Sequence, residues 1–288
     1  MKIGIGLPAM VPGVETASLV RWARQAEACG FDALGVSDRV VYDNHEPLMT
    51  LAAAAAVTER IELMTDVLIA PIRATALLAK QAATLDRLSG GRLTLGLGVG
   101  GRADDYTAVG MLTDGRGRRF DTQLCRLREL WSSDRIGPSP ARPGGPPLLV
   151  AGYAPRAIER AARLADGWTL GVGSTVAQFR EGLAILREAW AEHRRSGRPR
   201  TLAMAYFALG DGGRAAAEHD LHHYYSWLGP DIAADIADAA LTDPAAVAGW
   251  LGAYAEAGAD EVLLMPCSSE LMQVDLLAEA LSELRAVA

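Results

Sequence analysis

Short apolar runs alternate with longer amphipathic segments along the whole chain. Eight of these runs show little polar alternation, which is typical of parallel strands covered on both faces. In the segments between them, apolar residues recur at the spacing of helices that bury one side. The predicted strands are Lys2–Leu7, Ala33–Ser37, Ile61–Val67, Leu93–Gly98, Leu148–Ala151, Trp168–Val172, Leu202–Ala208 and Glu261–Met265.

Helical segments follow these strands and complete a regular βα alternation. Glycine ends two of the predicted helices, at Gly30 and Gly258, and each time an aspartate and a strand come next. Eight parallel βα units close into a (β/α)8 TIM barrel, and we expect a single domain over residues 1–288. The predicted helices include Thr16–Ala28, Ala74–Leu88, Arg118–Trp131, Arg156–Ala165, Val176–Arg195 and Pro244–Ala257.

Two segments interrupt the alternation. Ser132–Pro147 contains five prolines and three glycines, which predicts a loop. His219–Thr242 adds helical pattern between the seventh strand and the helix before the eighth. We expect both insertions to lie at the carboxyl-terminal end of the barrel, where such segments shape a substrate pocket.

The composition narrows the classes of partner. The chain has 288 residues and a formal net charge of −7, which gives no reason to expect binding to nucleic acid or to an anionic membrane. Its longest apolar run is too short to span a bilayer. Three widely separated cysteines predict neither a disulfide framework nor a metal site. Because the chain begins directly with a strand, we expect no signal peptide and a cytoplasmic protein.

Functional groups of a TIM barrel follow the carboxyl ends of its strands. Here those positions are rich in glycine and small residues and lack histidine and cysteine, which disfavours a metal-dependent hydrolase. A pocket of this kind suits a large planar cofactor that brings its own chemistry. The segments concerned are Ser37–Arg39, Thr65–Val67, Gly98–Arg102, Ala151–Pro155 and Gly171–Gly173.

The glycines after the fourth strand are the most informative of these residues. Gly96, Gly98, Gly100 and Gly101 remove side chains where the strand ends, so a ring or a phosphate can approach the backbone. Three of them, Gly96, Gly98 and Gly101, also match the dinucleotide fingerprint GxGxxG. The following segment is polar and arginine-rich, however, and does not supply the acidic strand end that a Rossmann site needs.

Residues 82–101 resemble the segment LATLDRLSGGRxxLGVGxG of the luciferase-like flavin and deazaflavin oxidoreductases. Residues 31–39, 62–67, 148–168 and 253–264 resemble further segments of that family. The resemblance implies hydride transfer between coenzyme F-420 and a small organic substrate, because residues 151–168 are closer to the deazaflavin-type turn. The alternatives are an FMN-dependent monooxygenase that uses reduced flavin and dioxygen, and a flavin- or ligand-binding barrel without turnover. The resemblance also implies a homo-oligomer, with a dimer expected, and a flavin or F-420 reductase as partner.

The same resemblance implies which residues hold the cofactor. Its phosphate is expected at the turn from the fifth strand into a helix, whose exposed amides suit an anion. Relatives often carry a bulge with a non-prolyl cis peptide behind the ring, although Asp66 here replaces the usual small residue. The implied cofactor-binding residues are Thr65, Asp66, Val67, Gly98, Gly100, Arg102, Ala151, Gly152, Tyr153, Ala154, Pro155, Gly171 and Val172.

Asp38 and Arg39 are the predicted catalytic residues, in a segment that resembles the family's GFDxxxVSDH. Many relatives have a histidine where this chain has Arg39. Arginine does not lose its proton near neutral pH, so we expect Arg39 to position substrate or cofactor rather than to transfer a proton. The alternative is a structural role, in which Asp38 caps a helix or pairs with Arg39 at the surface.

The second insertion carries two further groups. Its histidines, His219, His222 and His223, share a helical face and suit either a metal or a solvated surface. Its aromatic residues either roof the substrate pocket or pack within the insertion; they are Tyr224, Tyr225 and Trp227.

Overall fold

A computed structural model describes residues 1–133 and 135–287 and contains a closed barrel of eight parallel strands. Each strand pairs with the next along the chain, and the eighth pairs with the first. The protein is therefore a (β/α)8 TIM barrel, as the sequence predicted. The strands are β1 (Lys2–Gly6), β2 (Ala33–Val36), β3 (Glu62–Ile69), β4 (Leu93–Gly98), β5 (Leu148–Ala151), β6 (Gly167–Leu170), β7 (Arg200–Phe207) and β8 (Glu261–Pro266).

Helices surround the barrel, and short 3-10 helices follow β3 at Ala70–Ile72 and α8 at Ser226–Leu228. Each predicted strand is present with bounds within two residues of the prediction. The closed barrel excludes the Rossmann interpretation of the GxGxxG match. The α-helices are α1 (Thr16–Ala28), α2 (Pro47–Ala55), α3 (Thr75–Leu88), α4 (Ala103–Ala108), α5 (Arg116–Trp131), α6 (Pro155–Leu164), α7 (Val176–Glu192), α8 (Gly213–Tyr225), α9 (Pro230–Asp238), α10 (Pro244–Ala257) and α11 (Met272–Val287).

Successive side chains of a strand point alternately outward and inward, so the barrel has two buried layers, one against the helices and one inside it. Outward-facing residues such as Leu95 join the large core between barrel and helices. A smaller cluster that includes Leu263 and Met265 fills the barrel interior. Glycine makes room for these side chains, since a Cβ on Gly35 would lie 2.3 Å from Leu263 Cδ2. The interior is thus a packed core, and space for a ligand is left above it.

Ion pairs close the amino-terminal end of the barrel. Arg200, at the start of β7, donates from Nη1 to Glu62 Oε1 at 2.9 Å. It also donates from Nε to Glu261 Oε1 at 2.5 Å. These three side chains come from β3, β7 and β8 and are at most one-fifth exposed. The open end of the barrel is therefore its carboxyl-terminal end.

The two insertions lie at opposite ends of the barrel. Helices α8 and α9 follow β7 and lie at the carboxyl-terminal end, as expected. Ser132–Pro147, of which residue 134 lies outside the described residues, connects α5 to β5 and therefore lies at the amino-terminal end. It packs against α3, where Ala141 N donates to Asp86 Oδ2 at 2.9 Å. The prediction that this loop shapes the pocket was wrong, because a helix-to-strand connection in a parallel barrel runs past the amino ends of the strands.

Among the described residues, no helix has both the length and the apolar character needed to cross a membrane.

Candidate functional site

A cavity of about 270 Å³ opens at the carboxyl ends of the strands. Its walls come from the ends of β2 to β7, and α8 with the following 3-10 helix covers it from the solvent side. Most of the predicted site residues meet in this one space. The predicted residues that line it are Asp38, Arg39, Asp66, Val67, Gly100, Arg102, Ala151, Tyr153, Gly171 and Val172.

The other predicted site residues lie next to the cavity rather than in its wall. Thr65 is fully buried, and its hydroxyl donates to the Gly96 carbonyl at 2.8 Å. Gly98 is buried behind Val67. Gly152, Ala154 and Pro155 form the turn into α6, at the edge of the opening. Their part in binding a cofactor stays a prediction.

The glycines of β4 serve the protein's own strands. A Cβ on Gly96 would lie 2.1 Å from the Thr65 carbonyl oxygen, and one on Gly98 would lie 2.9 Å from Val67 Cγ2. Both contacts are to the bulged part of β3, so the close approach that these glycines allow is that of β3 and not of a ligand. Gly101 differs, because a Cβ there would meet only Trp227 Cη2 at 3.6 Å, across open space.

The bulge that the family resemblance implied is present in β3. The register between β3 and β4 shifts between Thr65 and Leu68. The Asp66–Val67 peptide bond is cis. Both residues of this peptide line the cavity.

Asp38 is buried and engaged with the strand beside it. Its Oδ2 accepts from the Ile69 amide and from Arg73 Nη2, each at 2.9 Å. Burial raises the pKa of Asp38, and the neighbouring Arg73 opposes that shift. Asp38 thus ties the end of β2 to the end of β3. The alternative of a surface pair between Asp38 and Arg39 was wrong, since Asp38 pairs with Arg73 and Arg39 pairs with Asp105.

Arg39 is also buried, at 8% exposed, and its partner is Asp105. Its Nε donates to Asp105 Oδ2 at 2.7 Å, while Asp105 Oδ1 accepts from the Val40 and Val41 amides. Burial alone would lower the pKa of Arg39, but the bond to Asp105 raises it, so the guanidinium stays charged. Its Nη1 is buried and makes no hydrogen bond of ordinary length among the described residues, although the Tyr224 hydroxyl lies near enough to the guanidinium to raise its pKa further. One donor of a rigidly held fork is therefore available at the cavity wall.

Asp66 and Thr169 face the cavity from β3 and β6. Asp66 Oδ2 and Thr169 Oγ1 are buried and have no hydrogen-bond partner in the described part of the chain. Burial raises the pKa of Asp66 to about 8, and the nearby Thr169 hydroxyl opposes that shift only partly. The carboxyl group is therefore largely protonated at neutral pH.

Aromatic side chains of the second insertion form the roof. The Tyr225 hydroxyl lies 3.0 Å from the Tyr206 hydroxyl of β7, and burial raises the pKa of both groups. The Arg102 guanidinium lies 5.3 Å from the centre of the Trp227 ring. Of the two roles considered for these aromatic residues, the structure supports the roof, since Tyr224, Tyr225 and Trp227 all line the cavity.

Sequence reasoning missed several lining residues. Asp105 follows the glycine loop by only a few residues, but nothing in its local pattern marks it as the partner of Arg39. Thr169 and Tyr206 are inward positions of strands, and the alternation along β6 and β7 could have placed them in the barrel mouth. The missed residues are Ile69, Asp105, Thr169, Met204 and Tyr206.

The turn into α6 has the features of an anion site at the rim of the cavity. Helix α6 begins at Pro155, and its N-cap Ala154 supplies no side-chain hydrogen bond. The first-turn amides thus lack a side-chain cap and face solvent, where a negative group would be favoured. Tyr153 stands beside this turn, and its hydroxyl donates to the Val172 carbonyl at 3.1 Å. A Cβ on Gly171 would lie 2.4 Å from that hydroxyl.

The histidines of α8 do not assemble a metal centre. Within residues 1–133 and 135–287, no group of three or more His, Cys, Asp or Glu side chains could hold a metal ion. His223 instead places Nδ1 2.9 Å from the Tyr42 hydroxyl.

Comparison with known proteins identifies related chains. A model of the luciferase-like monooxygenase family matches residues 1–262. The chain is 30% identical over 250 residues to the F-420-dependent hydroxymycolic acid dehydrogenase of Mycobacterium tuberculosis, an alignment that covers 77% of this chain and 67% of that protein. Alignments with uncharacterized mycobacterial proteins, at 32–33% identity, span only 61–64% of the length of those relatives.

Solved structures show the same fold. An F-420-dependent secondary alcohol dehydrogenase in complex with an F-420–acetone adduct has a TM-score of 0.81 at 17% identity, over 99% of this chain and 100% of that one. The FMN-bound oxygenating component of 3,6-diketocamphane monooxygenase from Pseudomonas putida has a TM-score of 0.73 at 17% identity, over 97% and 98%.

Proposed function

The chain belongs to the luciferase-like monooxygenase family, and we propose that it is an oxidoreductase that transfers a hydride between coenzyme F-420 and a small organic substrate. The observation that carries this proposal is the cavity above the packed barrel core. Most of its lining residues are uncharged, and its wall holds three buried polar atoms without a hydrogen-bond partner among the described residues, on Arg39, Asp66 and Thr169. Such a lining suits a planar ring with a polar edge.

The choice of F-420 rests on the turn at residues 151–168 and on the relatives. The relative with 67% of its length aligned is named as F-420-dependent, and so is the structural neighbour with the F-420–acetone adduct. FMN remains the second candidate, because an FMN-bound monooxygenase has the same fold. In both cases the cofactor brings the redox chemistry when it is bound.

The residues of this chain then bind the cofactor and orient its ring. We propose that the ring lies between Asp66–Val67 and the loop Gly98–Arg102, with the cofactor phosphate at the α6 turn formed by Gly152–Pro155. Arg39 lines the cavity and is held in place by Asp105, and its Nη1 makes no hydrogen bond of ordinary length among the described residues. Because the guanidinium stays charged, Arg39 positions a carbonyl or an anionic group and does not exchange a proton. The aromatic roof keeps water away from the ring.

Equilibrium titration tests the choice of cofactor. We expect the purified protein to bind F-420 more tightly than FMN, with saturable one-to-one binding followed by the fluorescence of each cofactor. Tighter binding of FMN would contradict the deazaflavin assignment and favour the monooxygenase.

Oxygen dependence separates the candidate reactions once a substrate is found. A 5-deazaflavin reacts poorly with dioxygen, so product formation should be the same in air and under anaerobic conditions. A strict requirement for dioxygen would instead support the FMN-dependent monooxygenase. Binding of either cofactor without turnover of any substrate would support a ligand-binding barrel.

Further features of the proposal come from the sequence alone. They are a single domain over residues 1–288, a homodimer, a reductase that supplies reduced cofactor, and a cytoplasmic location. The contacts of Asp38 favour a structural role over the predicted catalytic role. Its carboxylate accepts hydrogen bonds from the Ile69 amide and from Arg73, both of which belong to the protein itself.

A further inference from the structure

Two buried polar side chains, Asp66 and Thr169, lie close together at the floor of the cavity. Asp66 is 4% exposed and Thr169 is 1% exposed, and both line the cavity. Asp66 Oδ2 and Thr169 Oγ1 make no hydrogen bond of ordinary length within the described residues, although the Thr169 hydroxyl lies near enough to the Asp66 carboxyl group to oppose the rise of its pKa. Buried polar atoms are nearly always paired, so an unpaired set that faces a cavity indicates a place where a ligand supplies the partners.

Asp66 differs from the other acids of the cavity wall. Asp38 is paired with Arg73 at 2.9 Å, and Asp105 is paired with Arg39 at 2.7 Å. Among the described residues, no such ion pair is formed by Asp66, and burial is the main influence on its pKa. A carboxyl group in this setting is stable as the neutral acid.

A neutral carboxyl group offers a donor and an acceptor side by side. Its O–H donates, its C=O accepts, and the Thr169 hydroxyl adds one more group that can do either. The complementary ligand group has an N–H next to a C=O in one plane, as in an imide. The pyrimidinedione ring that FMN and F-420 share presents such an edge.

We propose that Asp66 and Thr169 form a subsite that binds the imide edge of the ring cofactor, with Asp66 in its uncharged form. This inference rests on the proposed function and specifies which edge of the ring points to the barrel floor.

Apart from Asp66, each titratable side chain around the subsite is either uncharged or paired with an oppositely charged or hydrogen-bonding partner. Tyr153, after β5, has its pKa raised by burial and further by the charge that Asp66 would carry. The loop after β4 contributes glycines to this part of the wall. The remaining groups are Tyr224, whose pKa is raised by burial, and the pairs Asp38–Arg73, Arg39–Asp105, Arg102–Asp104 and Tyr206–Tyr225.

Four variants test the subsite by fluorescence titration with F-420 at pH 6.5. Asp66→Leu removes both polar atoms and should weaken binding about tenfold or more, and Thr169→Val should weaken it about three- to tenfold. Asp66→Asn keeps a donor and an acceptor and should bind nearly as the wild type does. Asp220→Asn is the matched control, since Asp220 is a buried unpartnered acid of a different cavity. Thermal unfolding of each variant confirms that it is folded.

The pH dependence of binding gives an independent readout. Ionisation of Asp66 removes its O–H donor and places a charge against a ring carbonyl, so wild-type affinity should fall as the pH rises through about 8. The Asp66→Asn protein should lack this fall. Titration of the cofactor itself would appear equally in both proteins and cancels in the comparison.

A pair of ring compounds tests the edge directly. Lumiflavin carries the imide N–H, and 3-methyllumiflavin replaces it with a methyl group. Wild-type protein should prefer lumiflavin about tenfold or more, and Asp66→Leu should lose that preference. Wild-type affinity in Asp66→Leu, or equal wild-type binding of the two compounds, would overturn the subsite and leave the proposed function standing. Failure of the wild type to bind F-420, FMN and lumiflavin would overturn both.

Discussion

Replacing Gly101 by leucine is expected to lower cofactor affinity about a hundredfold or more while the barrel stays folded. Gly101 lines the cavity between the end of β4 and the roof. An added Cβ would meet only Trp227, at 3.6 Å, and the backbone at this position does not have a positive φ. The leucine side chain would therefore enter a cavity of only about 270 Å³ without straining the chain. It should exclude the ring by occupying its space.

The control is Gly249→Leu, an equal change on an exposed part of α10 where nothing lies within 4 Å of the added Cβ. This variant should bind cofactor as the wild type does. Gly100 would be the natural choice from the sequence, but its φ is +71° and a Cβ there would lie 2.8 Å from Ile69. Loss of binding in Gly100→Leu would therefore be ambiguous. Wild-type affinity in a folded Gly101→Leu protein would place the ring elsewhere.

Arg39→Ala is expected to impair both stability and binding. The substitution leaves the Asp105 carboxylate buried, at 1% exposed, without its cation. Breaking a buried pair in this way costs about 3–5 kcal/mol of unfolding free energy. The free Nη1 donor is lost as well, which should weaken ligand binding about tenfold. Arg39→Lys keeps the charge but not the fork, so it should regain part of the stability and little of the binding.

A double variant separates the two effects of Arg39. Arg39→Met combined with Asp105→Asn removes both charges and keeps a side-chain oxygen for the Val40 and Val41 amides, so it should recover much of the stability lost in Arg39→Ala. Binding should stay weak, because the donor is still absent. Urea denaturation and F-420 titration of the four proteins measure the two quantities. Wild-type binding by the double variant would reduce Arg39 to a structural role.

Much of the fold could be predicted because the alternation of strands and helices repeats along the chain. The bounds of β4 and β5 agree with the prediction, since glycine and proline punctuate those segments. The position predicted for the loop at residues 132–147 was wrong, because that prediction used the composition of the loop. Its position after a helix and before a strand is what determines its end of the barrel.

The site was predictable as a set of strand ends but not as a set of contacts. Asp38 pairs with a residue 35 positions away, and Arg39 with one 66 positions away. Local spacing carries no signal for such pairs, so the neighbouring residues Asp38 and Arg39 looked like partners. Similarly, the glycine pattern of β4 predicts a close approach, but only the structure identifies the bulge of β3 as what approaches.

The sequence indicates only part of the importance of Asp66. Its identity departs from the family pattern at the bulge, and that much can be seen by eye. Whether a basic side chain neutralises it depends on which elements meet at the barrel mouth. The structure buries Asp66 and pairs the neighbouring arginines with other acids, so burial raises its pKa and only the Thr169 hydroxyl opposes that shift.

A crystal structure of the protein with F-420 bound would test the central claim most directly. The account predicts the ring in the cavity between Asp66–Val67 and Gly100–Arg102, with its imide edge toward Asp66 and Thr169 and its phosphate at Gly152–Pro155. A ring bound outside this cavity, or a cavity that stays empty at saturating F-420, would contradict it.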